Sequence, residues 1–158
     1  MTIVVSNEYH HDMAAQAVRH LEEEVSIAII RKADALMQVL TDLLKPHGLS
    51  STQYNVLRIL RGAGREGASS KEISSKLIAR DPDVTRLMDR LEKRGLLTRD
   101  RAKEDRRVVT HQLTPEGLAM LGALDEPIQN IHRTAMDGVN AANLETLLSI
   151  LEEIRIES

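Results

Sequence analysis

A chain of 158 residues, 42% apolar and 28% charged, can close one globular domain around a single core. The absence of cysteine excludes disulfides, cysteine-ligated zinc, thiol nucleophiles and thiol redox sensing. Tyr9 and Tyr54 are the whole aromatic complement, so the stacking platforms that hold single-stranded bases cannot be built, which argues against a reader of RNA or single strands. The net charge of −3 conceals a division: Arg58 to Arg107 carries 15 Lys and Arg against 9 Asp and Glu, a net of +6, and the rest 6 against 15, a net of −9. Such asymmetry fits a lobe that meets a polyanion on an acidic frame, or a solvated charged face. Met1 to Val5 lacks the composition of an export signal, and no run approaches the roughly 20 apolar residues that span a bilayer. A cytoplasmic protein with no membrane role is the expectation.

From Asn7 to Leu44 there is neither proline nor glycine, and Met13, Ala17, Leu21 and Val25 recur at helical spacing, which predicts one long helix or two abutting ones. Within it Ile29, Ala33, Leu36, Leu40 and Leu43 step by four, three, four and three, the seam of a helix lying along another helix. Pro46 and Gly48 stop it. Ser50 with Gln53 reads as a capping box for a second helix, Ser51 to about Leu60, followed by a loop of Gly62, Gly64 and Gly67. Ser69 with Glu72 opens a short third helix that buries Ile73 and Leu77, and Asp81 with Pro82 supplies the cap and first turn of a fourth.

In the fourth helix Val84, Leu87, Met88 and Leu91 fall at i, i+3, i+4 and i+7 and commit one face to the core. The opposite face carries Asp83, Thr85, Arg86, Asp89, Arg90 and Lys93, and Gly95 offers a left-handed cap at its end. Leu96–Arg99 and Val108–Leu113 have strand character and are joined by a charged stretch, so they read as a hairpin with a long basic tip. Thr114, Pro115 and Glu116 restart a helix that Pro127 kinks or divides, and a last helix begins near Ala141. Its Leu144, Leu147, Leu148, Leu151 and Ile154 make an apolar stripe with little left in a monomer to cover it.

Helix, tight turn, polar-faced helix and basic hairpin in that order make a winged helix-turn-helix, whose second helix is sized for the major groove of duplex DNA. The stretch Asp81 to Gly117, DPDVTRLMDRLEKRGLLTRDRAKEDRRVVTHQLTPEG, resembles the MarR family of bacterial transcriptional regulators. The resemblance is carried by VTRLMDRLEKRGL, by Asp105 and Arg107 in the wing, and by LTPEG. It implies a mainly α (α+β) fold of one domain, residues 1–158. In it a winged helix-turn-helix lobe, residues 50–114, is flanked by a helical dimerisation lobe, residues 7–47 and 115–158. It further implies a homodimer on a pseudo-palindromic operator, a repressor released by a small aromatic or phenolic anion, with Thr85 and Arg86 facing bases and phosphates and the wing arginines in the neighbouring minor groove.

Physical chemistry points the same way, since the arginine fork bonds guanine bidentately and suits a narrow minor groove. Arg90 reads as a DNA contact or as the partner of Asp89, Arg107 as a DNA contact or the partner of Asp105, and Arg106 as a phosphate contact. Ser69, Ser70 and Lys71 could hold phosphate on backbone amides, although N-capping explains the serines equally well. The six histidines lack metal-ligand spacing and read as solvated or packing residues, while the resemblance, through members of the family that sense zinc with His and Glu near the dimer helices, implies Glu22, Glu23 and Glu24 plus a distant histidine as the remaining metal option. No cofactor is implied. An enzyme is disfavoured, because no nucleophile has a base at credible spacing and no glycine loop cradles phosphate. A winged-helix protein-interaction module would want apolar groups where the fourth helix has Arg, Asp, Thr and Lys.

Overall fold

The computed structural model describes residues 6–78, 83–101 and 109–156. It divides into two compact units, residues 1–42 and 43–158. The first is helical: α1 runs unbroken from Ser6 to Leu44, so the single-helix alternative holds. Leu21, Val25, Ile30 and Val39 on it are exposed, while Leu36 and Leu40 of the expected seam are half-buried.

The second unit opens at the end of α1. Lys45–His47 tighten into a 3₁₀ turn and Gly48 takes a left-handed conformation, φ 64°, with the amides of Gly48 and Leu49 donating to the carbonyls of Lys45 and Leu44. Helix α2 (Ser51–Ala63) begins at the predicted capping box, in which the Gln53 amide donates to Ser50 Oγ at 3.1 Å and the Ser50 amide to Gln53 Oε1 at 3.0 Å. Such a cap is worth about 1 kcal/mol. The helix runs past Leu60 and absorbs Gly62, since one exposed glycine costs only about 1 kcal/mol where the preceding turns are buried.

The expected two-stranded hairpin is a three-stranded sheet. Strand β1 (Ala68–Ser69) pairs antiparallel with β3 (Val109–Leu113), which pairs antiparallel with β2 (Leu97–Arg101), in the order β1-β3-β2. Gly67 makes the close approach possible, because a Cβ there would stand 2.5 Å from the His111 carbonyl oxygen. Helix α3 (Ser70–Lys76) follows at once under the Ser69–Glu72 capping box and buries Ile73, while Leu77 ends it half-buried.

Helix α4 (Val84–Lys93) buries Val84, Leu87, Met88 and Leu91, as the spacing predicts, at roughly 1.5–3 kcal/mol for each large side chain. Its cap is Asp83, whose carboxylate accepts from the Arg86 amide, and not Asp81; Asp81 and Pro82 lie outside the described residues. A carboxylate accepts from an amide three residues on, and only Asp83 stands at that distance from Arg86. At the other end Gly95, φ 70°, closes the helix: its amide donates to the Glu92 carbonyl and that of Leu96 to the Leu91 carbonyl.

Thr114 caps α5 (Pro115–Ala135) by accepting from the Gly117 amide at 3.0 Å, and its hydroxyl donates to the Gly95 carbonyl at 2.6 Å, tying the start of α5 to the end of α4. Pro127 does not divide α5, which runs through it to Ala135 without the amide that would serve the Ala123 carbonyl. The core of this unit gathers Leu57, Leu60, Ile73, Met88, Leu91, Leu97, Leu121 and Leu124. Helix α6 (Ala141–Glu153), capped by Asn140, buries none of its residues.

Candidate nucleic-acid interface

The α3–α4 pair presents one polar face, and the structure sorts its charges into those that build the frame and those left to meet a ligand. Thr85, Arg86, Arg90 and Lys93 are exposed on α4 opposite its buried stripe, and Lys71 is exposed on the first turn of α3. Arg86 lies loosely by the capping Asp83, Nη1 to Oδ2 3.7 Å, with both side chains more than half exposed, a pair worth at most about 1 kcal/mol. Arg86 is thus available to a stronger acceptor.

The alternative pairing of Arg90 with Asp89 does not form. Consecutive helical residues do not face each other, and Asp89 instead accepts from Arg99 of β2, Nη2 to Oδ1 2.6 Å, while Nε of the same guanidinium lies 3.8 Å from Glu92 Oε2. One wing arginine thereby offsets part of the negative charge that Asp89 and Glu92 would set against a polyanion and fastens the wing to the helix. Sequence spacing gave no signal for this. Asp105, Arg106 and Arg107 lie outside the described residues.

Ser69 and Ser70 are engaged within the frame. The Ser69 amide and hydroxyl both donate to Glu72 Oε2, at 2.8 and 2.7 Å, and these two bonds, the backbone one first, hold the Glu72 carboxyl below its ordinary range. The Ser70 hydroxyl lies 3.1 Å from Nε2 of His111, which is buried to 1% exposure in the middle of β3 and whose Nδ1 has no partner among the described residues. His111 is a packing histidine, one of the two readings given to the histidines. The missed signal was period two: Val109, His111 and Leu113 share one face of the strand.

Burial, and secondarily the Arg99 charge, push the His111 pKa below its ordinary 6.5, while Glu92 and Asp89 oppose the shift. The unfolded chain then binds the proton more readily than the folded one, so the contribution of neutral His111 is complete above pH 6.5 and is lost as pH falls below it. Urea midpoints of the wild type are expected to decline as pH falls below 6.5, and His111→Gln should flatten that decline.

Among the described residues no three His, Asp or Glu side chains gather as a metal site, and no helix is long and apolar enough to cross a membrane. His20 and Glu24 approach to 3.5 Å on the exposed surface of α1.

The MarR family profile matches residues 49–109. The homoprotocatechuate degradative operon repressor of Escherichia coli is 25% identical over 133 residues, 84% of this chain and 88% of that relative. The HTH-type transcriptional regulator PrsX of E. coli is 30% identical over 121 residues, 77% of this chain and 71% of the relative. A crystal structure of a MarR transcription factor from Planctomyces limnophilus is similar with a TM-score of 0.65 and 36% identity, over 84% of this chain and 96% of that one.

Proposed function

The chain belongs to the MarR family, and from that premise we propose a transcriptional regulator that binds double-stranded operator DNA as a homodimer and is released by a small-molecule effector. The observation that carries the proposal is the outer face of α4: Thr85, Arg86, Arg90 and Lys93 exposed, the carboxylates of Asp89 and Glu92 drawn to Arg99 of the wing, and the opposite face fixed in the core. Residues 50–114 form the reading head, and residues 7–47 with 115–158 serve dimerisation. Thr85, Arg86 and Arg90 meet base edges and phosphates in the major groove. Lys71 and Arg106 meet phosphate, and Arg107 enters the minor groove. Ser69 and Ser70 support this surface through the α3 cap, on which the Ser69 amide is spent, and through the His111 bond. Two heads related by a two-fold axis require half-sites about 10 bp apart. Such a regulator performs no catalysis and acts where the DNA is, in the cytoplasm.

Helix and wing fail differently in this reading. Arg86→Ala is expected to cost about 1–3 kcal/mol on the operator and much less on random duplex, because the major groove carries the full base code. Arg107→Ala is expected to weaken both alike and to flatten the slope of log affinity against log salt by roughly 0.9 per reading head. A salt titration of both variants on operator and scrambled DNA tests the assignment, and an Arg86→Ala variant with undiminished operator preference overturns it.

The effector is proposed as a small aromatic or phenolic anion, supported by the name of one relative, which ties it to homoprotocatechuate, itself a phenolic carboxylate. A ligand that weakens the operator complex must bind the DNA-free protein more tightly by the same factor. Phenolic carboxylates that raise the melting temperature yet leave operator affinity unchanged would overturn this part.

A further inference from the structure

The reading head is joined from pieces far apart in the chain, and one side chain makes the join at the end of α4. Arg94, which follows the last residue of α4, donates from Nη1 to the Gly48 carbonyl at 2.6 Å and from Nη2 to the His47 carbonyl at 2.9 Å. These carbonyls belong to the corner where α1 gives way to α2, at a helix end where carbonyls lack amide partners of their own. The guanidinium lies in ordinary contact with Gly48. Gly48 holds φ 64°, and a Cβ on it would stand 3.4 Å from Nη2 and 3.7 Å from Cζ and Nη1. Two successive carbonyls gripped by a planar fork fix orientation as well as distance, which the point charge of a lysine does not do. On the flank of α4, Arg99 grips Asp89 and Glu92. The helix is thus mounted at two places, on the wing and on the corner at the foot of α1.

We propose that Arg94 is a positioning residue for operator reading: its fork on the His47 and Gly48 carbonyls sets the tilt of α4 and thereby the aim of the side chains on its outer face. The proposal rests on α4 being the recognition helix, and it assigns to Arg94 no contact with DNA. Loss of the fork therefore degrades discrimination between sequences without removing a phosphate-neutralising charge.

The test uses the full chain and the duplex it enriches from a random-sequence pool, compared with a scrambled duplex across a salt series. The variants are Arg94→Ala, Arg94→Lys and Gly48→Ala, the last straining the backbone that carries the carbonyls, since φ 64° disfavours an L side chain. All three are expected to lose about 10-fold in operator-to-scrambled preference, within the roughly 5- to 150-fold that one good base contact supplies, with the wild-type salt slope retained. The lysine variant should fail like alanine although it keeps the charge, and it carries the test if the alanine variant does not fold. If lysine restores preference while alanine flattens the slope by roughly 0.9 per head, Arg94 is a phosphate contact and the proposal is wrong. Variants that melt earlier but keep full preference overturn the positioning role alone. A wild-type chain that enriches no sequence overturns the DNA reading and this proposal with it.

Discussion

Alanine at Gly117 is expected to lower the melting temperature by about 10 °C, whereas alanine at Gly122 on the same helix raises it. A Cβ at Gly117 would run into the carbonyl oxygen of Leu96 and stand 3.0 Å from Leu113 Cδ2. That carbonyl cannot yield cheaply: it accepts from the Thr114 amide, and Leu96 is buried at 4% exposure where the chain enters β2. Relief requires moving α5 off the sheet, an overpacking cost of about 3 kcal/mol. At Gly122 nothing lies within 4 Å of the added carbon, so alanine there only removes the conformational freedom of a helical glycine, a gain of roughly 0.5–1 kcal/mol. Thermal melts of the two variants beside the wild type check both signs.

The second large effect is expected at Leu148. In the homodimer proposed above, α6 is the natural seam, for it buries nothing in the single chain and leaves Leu147, Leu148, Ile150 and Leu151 between 40% and 59% exposed. A two-fold axis counts every substitution twice. Leu148→Asp removes two apolar side chains and adds two carboxylates that must shed water, a loss of at least about 4 kcal/mol, or roughly a thousandfold in dimer affinity. Operator binding should fall with it, because a lone head reads half a site. Sedimentation at micromolar concentration is expected to show a wild-type dimer and a folded monomeric variant; a wild-type monomer, or a variant that still pairs, refutes the seam.

What the sequence disclosed was whatever depends on neighbours within one helical turn. The Ser50–Gln53 and Ser69–Glu72 boxes, the buried quartet of α4 and the Gly95 cap all rest on contacts three to five residues apart, and each formed as the spacing required. The cap of α4 was misplaced because Asp81 and Asp83 carry the same chemistry, and only the backbone conformation chooses between them. Strand β1 was invisible, since Ala68 and Ser69 alone have no periodicity and become a strand only when β3 lies beside them. At the site, the cations of α4 were legible but the division of labour was not. Arg94 and Arg99 look like further positive charges until their partners, 46 and 47 residues away for the one and 10 for the other, turn them into fastenings.

The sheet order also imposes a timetable on biosynthesis. Helix α3 has seven residues, too few to persist unaided in water, and the residues at its entrance, Ala68 to Ser70, find their hydrogen-bonding partners in Thr110 and His111 of β3. A ribosome delivers those partners some forty residues later, after α4 and β2 have been made. The reading surface therefore cannot ripen from the N-terminus onward as the helices emerge. It is completed only when β3 leaves the exit tunnel and gives Ala68–Ser69 and Leu97–Arg101 the neighbour with which both pair.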